Sequence, residues 1–454
     1  MIIETYRLNQ QTPMIHFQSE EEGATLRAGE VKPKLDRFLV EKIGESNIPL
    51  KWWLGYDYKE KKLESKALNY KMRIIAKTRD TSHPVYIKPE KGKLKGIGEY
   101  FLTERDERKI KKDSFYKDIK LTLICGVEGL QEKLCDEALL CEFFATHNFG
   151  FRQNKGFGSF IFGGNERTEV TERWIAESYT YVEKYSGYYL DIPQSNTTTI
   201  LEVIKDFWQV VKSGINLKGN YERSFLMKNY FSGHLNDKKA MKLALLNTEL
   251  FKLDEKNKPR EGIKWYDDDL FDKSNKIDLT PENPPISLEK AEYVRGLLGF
   301  AQHYQFLRVT LKNEQEKPFA VTFSLSVEGV ERMSAPVYFK PIISKWGTRV
   351  YLLLDNKLLE SVYTNIGNGI IKLTCKANLG KGYRDDGDFC KQVKVAIQKV
   401  NKQNLEFHLP DLGEISPKLF LDMFFSEIWK SPDYKERKIP YNIGKYKLEK
   451  GGRR

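Results

Sequence analysis

Between His147 and Phe160 the sequence reads His-Asn-Phe-Gly-Phe-Arg-Gln-Asn-Lys-Gly-Phe-Gly-Ser-Phe. Gly150, Gly156 and Gly158 lack a Cβ, so the backbone there can turn left-handed and approach a ligand closely. Arg152 and Lys155 add positive charge, Asn154 sits between them, and exposed N–H groups of such a loop can form an anion-binding nest. Phe149, Phe151, Phe157 and Phe160 offer flat faces for stacked bases. Glycine, cation and ring together suit an RNA backbone better than a lone nucleotide. The same residues also suit a tight helix-to-strand turn whose phenylalanines fill the core, and composition alone does not choose between the two.

Other chemistry finds less support. Metal-free RNA cleavage wants a histidine base near a strand end, and His16 is a weak catalytic candidate by position. The acidic clusters Asp267 to Asp269 and Asp385, Asp386, Asp388 could hold Mg²⁺, but each lies in a polar stretch. Glu20, Glu21 and Glu22 follow the first strand with no aspartate among them, and no Gly-Lys-Ser/Thr phosphate loop occurs. Six histidines are dispersed, and the five cysteines (Cys125, Cys135, Cys141, Cys375, Cys390) include no C-x-x-C pair. Neither a metal nor another cofactor is expected, and the chain reads as a binding subunit without chemistry of its own.

Periodicity predicts the elements that must hold the loop. Leu130, Leu134, Ala138, Cys141 and Phe144 recur at helical spacing, which predicts one helix over 129–146 before the loop and a buried strand over 157–162 after it. Alternation predicts strands at 68–74 and 119–123; a first strand at 2–8 and a helix at 28–44 precede them. The order strand, helix, strand, strand, helix, strand is the split βαβ, or ferredoxin-like (RRM-like), arrangement. A chain of 454 residues exceeds one ordinary core, so two such βαββαβ domains with helical and loop insertions are expected in an α+β protein.

The first domain spans 1–170, with charged surface insertions at 59–66 and 105–120. The second spans 171–454 and opens on a strand at 185–192, followed by helices near 200–211 and 241–250. It carries a helical and polar insertion at about 216–290, and strands at 320–327, 337–341, 349–354 and 370–376. The basic tail from Tyr434 onward is expected to be mobile at its end.

Several segments resemble one family. Thr12-Pro-Met14 and Leu26-Arg-Ala-Gly-Glu-Val-Lys-Pro-Lys-Leu-Asp-Arg-Phe38 are similar to the T-P and L-R-x-x-x-I-K-G signatures of the RAMP superfamily of CRISPR effector proteins. The loop itself resembles that family's G-rich loop. Tyr293-Val-Arg-Gly-Leu-Leu-Gly299 and Glu331-Arg-Met-Ser-Ala-Pro-Val-Tyr-Phe-Lys-Pro-Ile342 resemble segments of its two-domain type III members. The likeness is greatest to the first RAMP subunit of the type III-B (Cmr) complex. Lys-Pro-Lys replaces the usual Lys-Gly-x after Val31, Asp36 stands where Arg or an apolar residue is common, and Pro33 suggests a later helix start.

The resemblance implies a non-catalytic RNA-binding subunit that caps the helical backbone of a type III effector complex in antiviral defence. Its partners would be CRISPR guide RNA, target RNA and other RAMP subunits. Gly156 and Gly158 would press against sugar-phosphate while Arg152 and Lys155 neutralise phosphates, with Phe157 beside them. Arg27, Lys32, Lys34 and Arg37 lie along the first helix; Lys34 and Arg37 share one face, so a subset can line a basic channel. Arg295, Arg332 and Lys340 would do equivalent work in the second domain. Rival readings are a metal-independent CRISPR RNA-processing endoribonuclease and a RAMP-like general RNA-binding protein.

Charge is compatible with a polyanion partner. Lys plus Arg total 75 against 63 Asp plus Glu, a formal net charge of +12, spread rather than clustered. No run reaches the ~18 apolar residues that span a membrane. The N-terminus lacks a signal-peptide apolar region, so a cytoplasmic protein with no membrane partner is expected.

Overall fold

A computed structural model of the chain describes residues 1–15, 25–79, 115–165, 172–185, 188–192, 197–208, 211–212, 215–217, 220–222, 224, 226, 237–248, 250–253, 292–299, 303–311, 319–327, 335–345, 347–355, 373–379, 388–407, 421 and 442–445. It is an α+β protein of two compact units. The first comprises Met1–Phe207, Val337–Leu354 and Met423–Arg454, the second Trp208–Pro336 and Asp355–Asp422. The sequence suggests one boundary near residue 170, whereas the chain crosses between units four times.

The first unit opens with strand β1 (Ile2–Gln10), whose alternate residues Tyr6, Leu8 and Gln10 are buried. Helix α1 (Ala28–Ile43) follows, burying Val31, Leu35, Phe38 and Leu39 at spacings of three and four. Contrary to the later start suggested by Pro33, the helix runs through it. Pro33 points outward, its i−4 neighbour is Gly29, and its carbonyl accepts a 3.2 Å bond from Arg37 Nε. A small hairpin of β2 (Tyr56–Asp57) and β3 (Lys62–Leu63) occupies the first charged insertion.

Strands β4 (Lys71–Arg79) and β5 (Tyr116–Cys125) come next, then helices α2 (Leu130–Leu134) and α3 (Glu137–Thr146) and strand β6 (Phe160–Asn165). The single helix expected over 129–146 is two, because the Asp136 side chain accepts from Leu139 N and starts a fresh helix after Cys135. The sheet order is β4-β5-β1-β6, with every neighbouring pair antiparallel. Strands joined through a helix are thus separated by a strand from the other half of the sheet.

A second sheet completes this unit. Helix α4 (Glu172–Tyr185), unanticipated in the sequence, leads to β7 (Tyr188–Ile192) and α5 (Thr197–Trp208). The hairpin β13 (Val337–Ser344) and β14 (Gly347–Leu354), with β17 (Asn442–Lys445), pairs with β7 in the order β13-β14-β7-β17. Ile342, Tyr351 and Leu353 from one face pack with Val182 of α4, Ala145 and Ile161. From the opposite face Phe339 meets Phe207 of α5, ring centroids 5.8 Å apart. The strand expected to open the second domain therefore belongs to the first unit, and part of the basic tail is a paired strand.

The second unit holds a hairpin of β8 (Ile215–Leu217) and β9 (Asn220–Glu222), then helix α6 (Asp237–Leu246) and strands β10 (Phe251–Leu253), β11 (His303–Leu311) and β12 (Phe319–Val327). Strand β15 (Leu373–Leu379), helix α7 (Asp388–Asn401) and β16 (Glu406–Phe407) follow. Ala240, Met241, Ala244 and Leu245 of α6 and Val393, Ala396, Ile397 and Val400 of α7 share one core with the sheet. Its order, β10-β11-β12-β15-β16, is chain order, so the described strands do not repeat the interleaving of the first sheet.

Asp36, unusual at its position, explains how α1 is seated. Its carboxylate pairs with Lys32 at 2.8 Å one helical turn away and accepts from Leu68 N at 3.2 Å. Lys32 also donates to Leu68 O and lies 4.1 Å from the Tyr70 ring centroid. Removing one partner of such a group leaves the other's charge and an amide without compensation. Asp36→Ala should therefore cost about 2–4 kcal/mol of stability in urea titrations, since Lys32 keeps some solvent. A loss under about 0.5 kcal/mol would show that α1 is seated by its apolar face alone.

Candidate nucleic-acid interface

The glycine-rich loop is held on two sides by its own unit. On the first side lies the chain leaving β1. Thr12 Oγ1 donates to Gly156 O at 2.6 Å and accepts from Ser159 N at 3.0 Å. Gly158 N donates to Pro13 O, Gln11 N to Ser159 O and Phe151 N to Ile15 O. This close interlock is why glycine is required. A Cβ on Gly158, at φ +64°, would lie 1.8 Å from Phe149 O, and one on Gly150 would lie 2.6 Å from Ile15 O. A Cβ on Gly156 would meet Ile204 Cδ1 at 2.6 Å.

On the second side lies β13. Asn148 Nδ2 donates to Phe339 O and Gln153 O, Ser159 Oγ to Pro341 O, and Tyr338 OH to Thr146 O. Gln11 Oε1 accepts from Ile343 N, joining β1 to the same strand. Lys340 has no accessible surface, and its Nζ donates to His147 O and Phe160 O, both at 2.8 Å. Burial with Lys34 nearby pushes its pKa well below the usual lysine value.

These contacts correct several expectations. Phe149, Phe157 and Phe160 are at most 1% exposed, so for these rings the core reading holds over base stacking. Gly156 and Gly158 are buried against protein and cannot press on a sugar-phosphate backbone. Lys340 is likewise an internal donor rather than a surface cation. What reaches solvent is the tip from Phe151 to Lys155, including Asn154, with Arg152 in the left-handed region at φ +55° and its guanidinium 5.1 Å from the Phe151 ring centroid.

The first helix contributes unequally. Lys34 Nζ donates to Asn148 O at 2.6 Å and to Gln153 Oε1, bringing α1 to the base of the tip. Burial, then the Arg37 charge, lowers its pKa to about 8 despite Glu30. Arg37 is exposed one turn on, Arg27 is partly exposed at the helix start, and Lys32 is engaged by Asp36. Arg295 lies in the second unit, 5.0 Å from the Tyr304 ring centroid. His16, Glu20–Glu22, Arg332, Asp267–Asp269, Asp385 and Asp386 fall outside the described residues.

Sequence reasoning missed Thr12, Asn148 and Ser159, the polar residues that tie the loop down. Thr12 stands in the T-P segment, and Asn148 and Ser159 in the loop, but sequence alone assigns none of them a role. His147, where the loop begins, stacks 4.7 Å from Phe143 and donates through Nδ1 to Phe143 O at 2.9 Å. Burial, and the charges of Lys34, Lys340 and Arg37, push its pKa down to about 3. The ring is therefore neutral at pH 7. Among the described residues no group of three His, Cys, Asp or Glu is placed to share a metal ion.

Two stability measurements follow. Gly158→Ala should cost at least about 3 kcal/mol through its left-handed backbone and the Phe149 carbonyl. Gly29→Ala, where a Cβ meets nothing within 4 Å, should instead stabilise α1 by roughly 0.5–1 kcal/mol. If the two variants melt alike, the loop is not interlocked as described. The depressed His147 pKa favours the unfolded state's proton uptake, so its contribution is complete above pH 6.5 and is lost as pH falls toward 3. His147→Asn should remove about 2–4 kcal/mol of the difference between pH 7 and pH 3, allowing for partial exposure of the residue. Parallel urea midpoints for wild type and variant across that range would refute this.

Among curated protein sequences none matches. The crystal structure of Cmr1 from Pyrococcus furiosus, in its apo form, aligns over 98% of both chains at 11% identity and a TM-score of 0.35. Two family models match almost end to end, the Cmr1 N-terminal domain over residues 1–215 and the Cmr1 C-terminal domain over residues 221–447. The chain therefore belongs to the Cmr1 family, RAMP subunits of the type III-B CRISPR (Cmr) complex.

Proposed function

We propose that this protein is a non-catalytic RNA-binding subunit of its Cmr complex, capping the backbone in the cytoplasm and contacting guide and target RNA in antiviral defence. Membership of the family implies other Cmr subunits as partners. The interleaved order of the first sheet supports a ferredoxin-like reading of the N-terminal RAMP domain. No helix among the described residues is long and apolar enough to cross a membrane.

The observation that carries the RNA reading is how the loop divides. Its glycines and three phenylalanines face inward, while Arg152, Asn154 and Lys155 remain at least partly exposed on a tip whose backbone is fixed. Arg37 is exposed on α1, and Lys34 ties that helix to Gln153 in the tip. Cations on a fixed backbone favour a phosphate chain, because little conformational freedom is lost when the contact forms. Phe151, the one partly exposed ring, would stack a single base at most.

The test is a salt titration. Arg152→Ala with Lys155→Ala removes two phosphate contacts, so the slope of log affinity against log salt for single-stranded RNA should fall by about 1.4. The loss should be similar for all RNA sequences; both side chains are partly exposed, so the melting temperature is read beside the affinity. An intact fold with an unchanged slope would remove the tip from the RNA site.

A further inference from the structure

We infer that Lys340 is a positioning residue for the RNA-facing tip: one buried side-chain nitrogen on β13 holds both ends of the glycine-rich loop and thereby sets the geometry of Arg152 to Lys155. The inference rests on the proposed RNA role of that tip, but its structural half stands independently. His147 and Phe160 are the first and last residues of the loop, and the same Nζ donates to both carbonyls at 2.8 Å. A compact loop whose ends are drawn together behaves as a unit. The bonds from Asn148 to Phe339 O and from Ser159 to Pro341 O flank Lys340 on its own strand, so three successive residues of β13 are engaged.

The chemistry is specific to a lysine here. Two carbonyl oxygens face one buried point, and a compact side-chain nitrogen with at least two N–H donors satisfies both. An apolar residue would leave two carbonyls unsatisfied inside the core, at the two positions where the chain enters and leaves the loop. Lys34 performs a related task from α1, donating to Asn148 O and Gln153 Oε1, one residue inside the loop and at its tip. The tip is thus held from beneath by two lysines on separate elements. Only Lys340 touches both ends.

Lys340→Met keeps the stem and removes the donors. Two readouts on the full chain separate the two halves of the inference. In hydrogen exchange read by mass spectrometry, amides of 148–158 should exchange at least about tenfold faster while those of β5 stay unchanged. Equal protection of the loop in variant and wild type would overturn the brace, as would faster exchange spread evenly over both segments.

The second readout is a double-mutant cycle for single-stranded RNA binding. Lys340→Met should weaken binding about tenfold in the wild-type background. It should have little further effect where Arg152 and Lys155 are already alanine. Additive losses would overturn positioning through the tip. If the Arg152/Lys155 variant binds RNA normally, the proposed RNA site fails, while the exchange result still decides the brace. Should Lys340→Met not fold, Lys340→Gln, which retains one short amide donor, carries both measurements with intermediate effects expected and the same outcomes overturning it.

Discussion

The side chains of Thr12 and Ser159 form the junction on which the first unit depends. Thr12 donates to Gly156 O and accepts from Ser159 N, and Ser159 Oγ donates onward to Pro341 O. Three distant stretches of chain meet through these bonds, and both side chains are fully buried. Each polar atom in such a site must find its partner or carry a desolvation penalty. The junction therefore admits one arrangement of β1, the loop and β13, and the phenylalanines pack around that arrangement.

Burial also sorts the basic residues into two kinds. Lys340, Lys34 and Lys32 point their side-chain nitrogens at backbone carbonyls, where they organise the fold. Arg37, Arg152 and Lys155 keep solvent contact and contribute to the surface potential. A formal net charge of +12 does not distinguish the two. Burial first, and neighbouring cations second, lower the pKa values of Lys34 and His147, with Glu30 opposing the shift at Lys34.

Much of the first sheet is legible because its strands are half-buried and its helices amphipathic: the alternation of Ile119, Leu121 and Leu123 and the spacing of Leu130 and Leu134 are direct consequences of one-sided burial. Helix α4 escaped notice because its buried stripe is Trp174, Ser178 and Val182, one position of which is polar and satisfied by Trp174 O. For the loop, composition leaves two readings open, a ligand-facing turn and a core-filling one. Glycine's tolerance of close approach says nothing about whether a ligand or another segment of the same chain makes the approach. For Gly158 it is Phe149 O, and only coordinates carry that information. Lys340 was singled out by its motif, yet its direction, inward on a strand paired on only one edge of its sheet, depends on contacts 180 and 193 residues away.

That separation has a consequence for how the protein is made. The hairpin β13–β14 lies after all of residues 208–336, so the loop's second anchor does not exist until the ribosome has translated well past the loop. At roughly 5–20 residues per second, the 193 residues between His147 and Lys340 represent about 10–40 s of synthesis. During that interval Phe149 and Phe160 can already pack with residues 6–174, whereas the carbonyls of His147 and Phe160 still lack the Lys340 donor. Sheet closure through β17 waits still longer, until Asn442–Lys445 emerges. The loop's second anchor therefore forms only after residues 208–336 have been made.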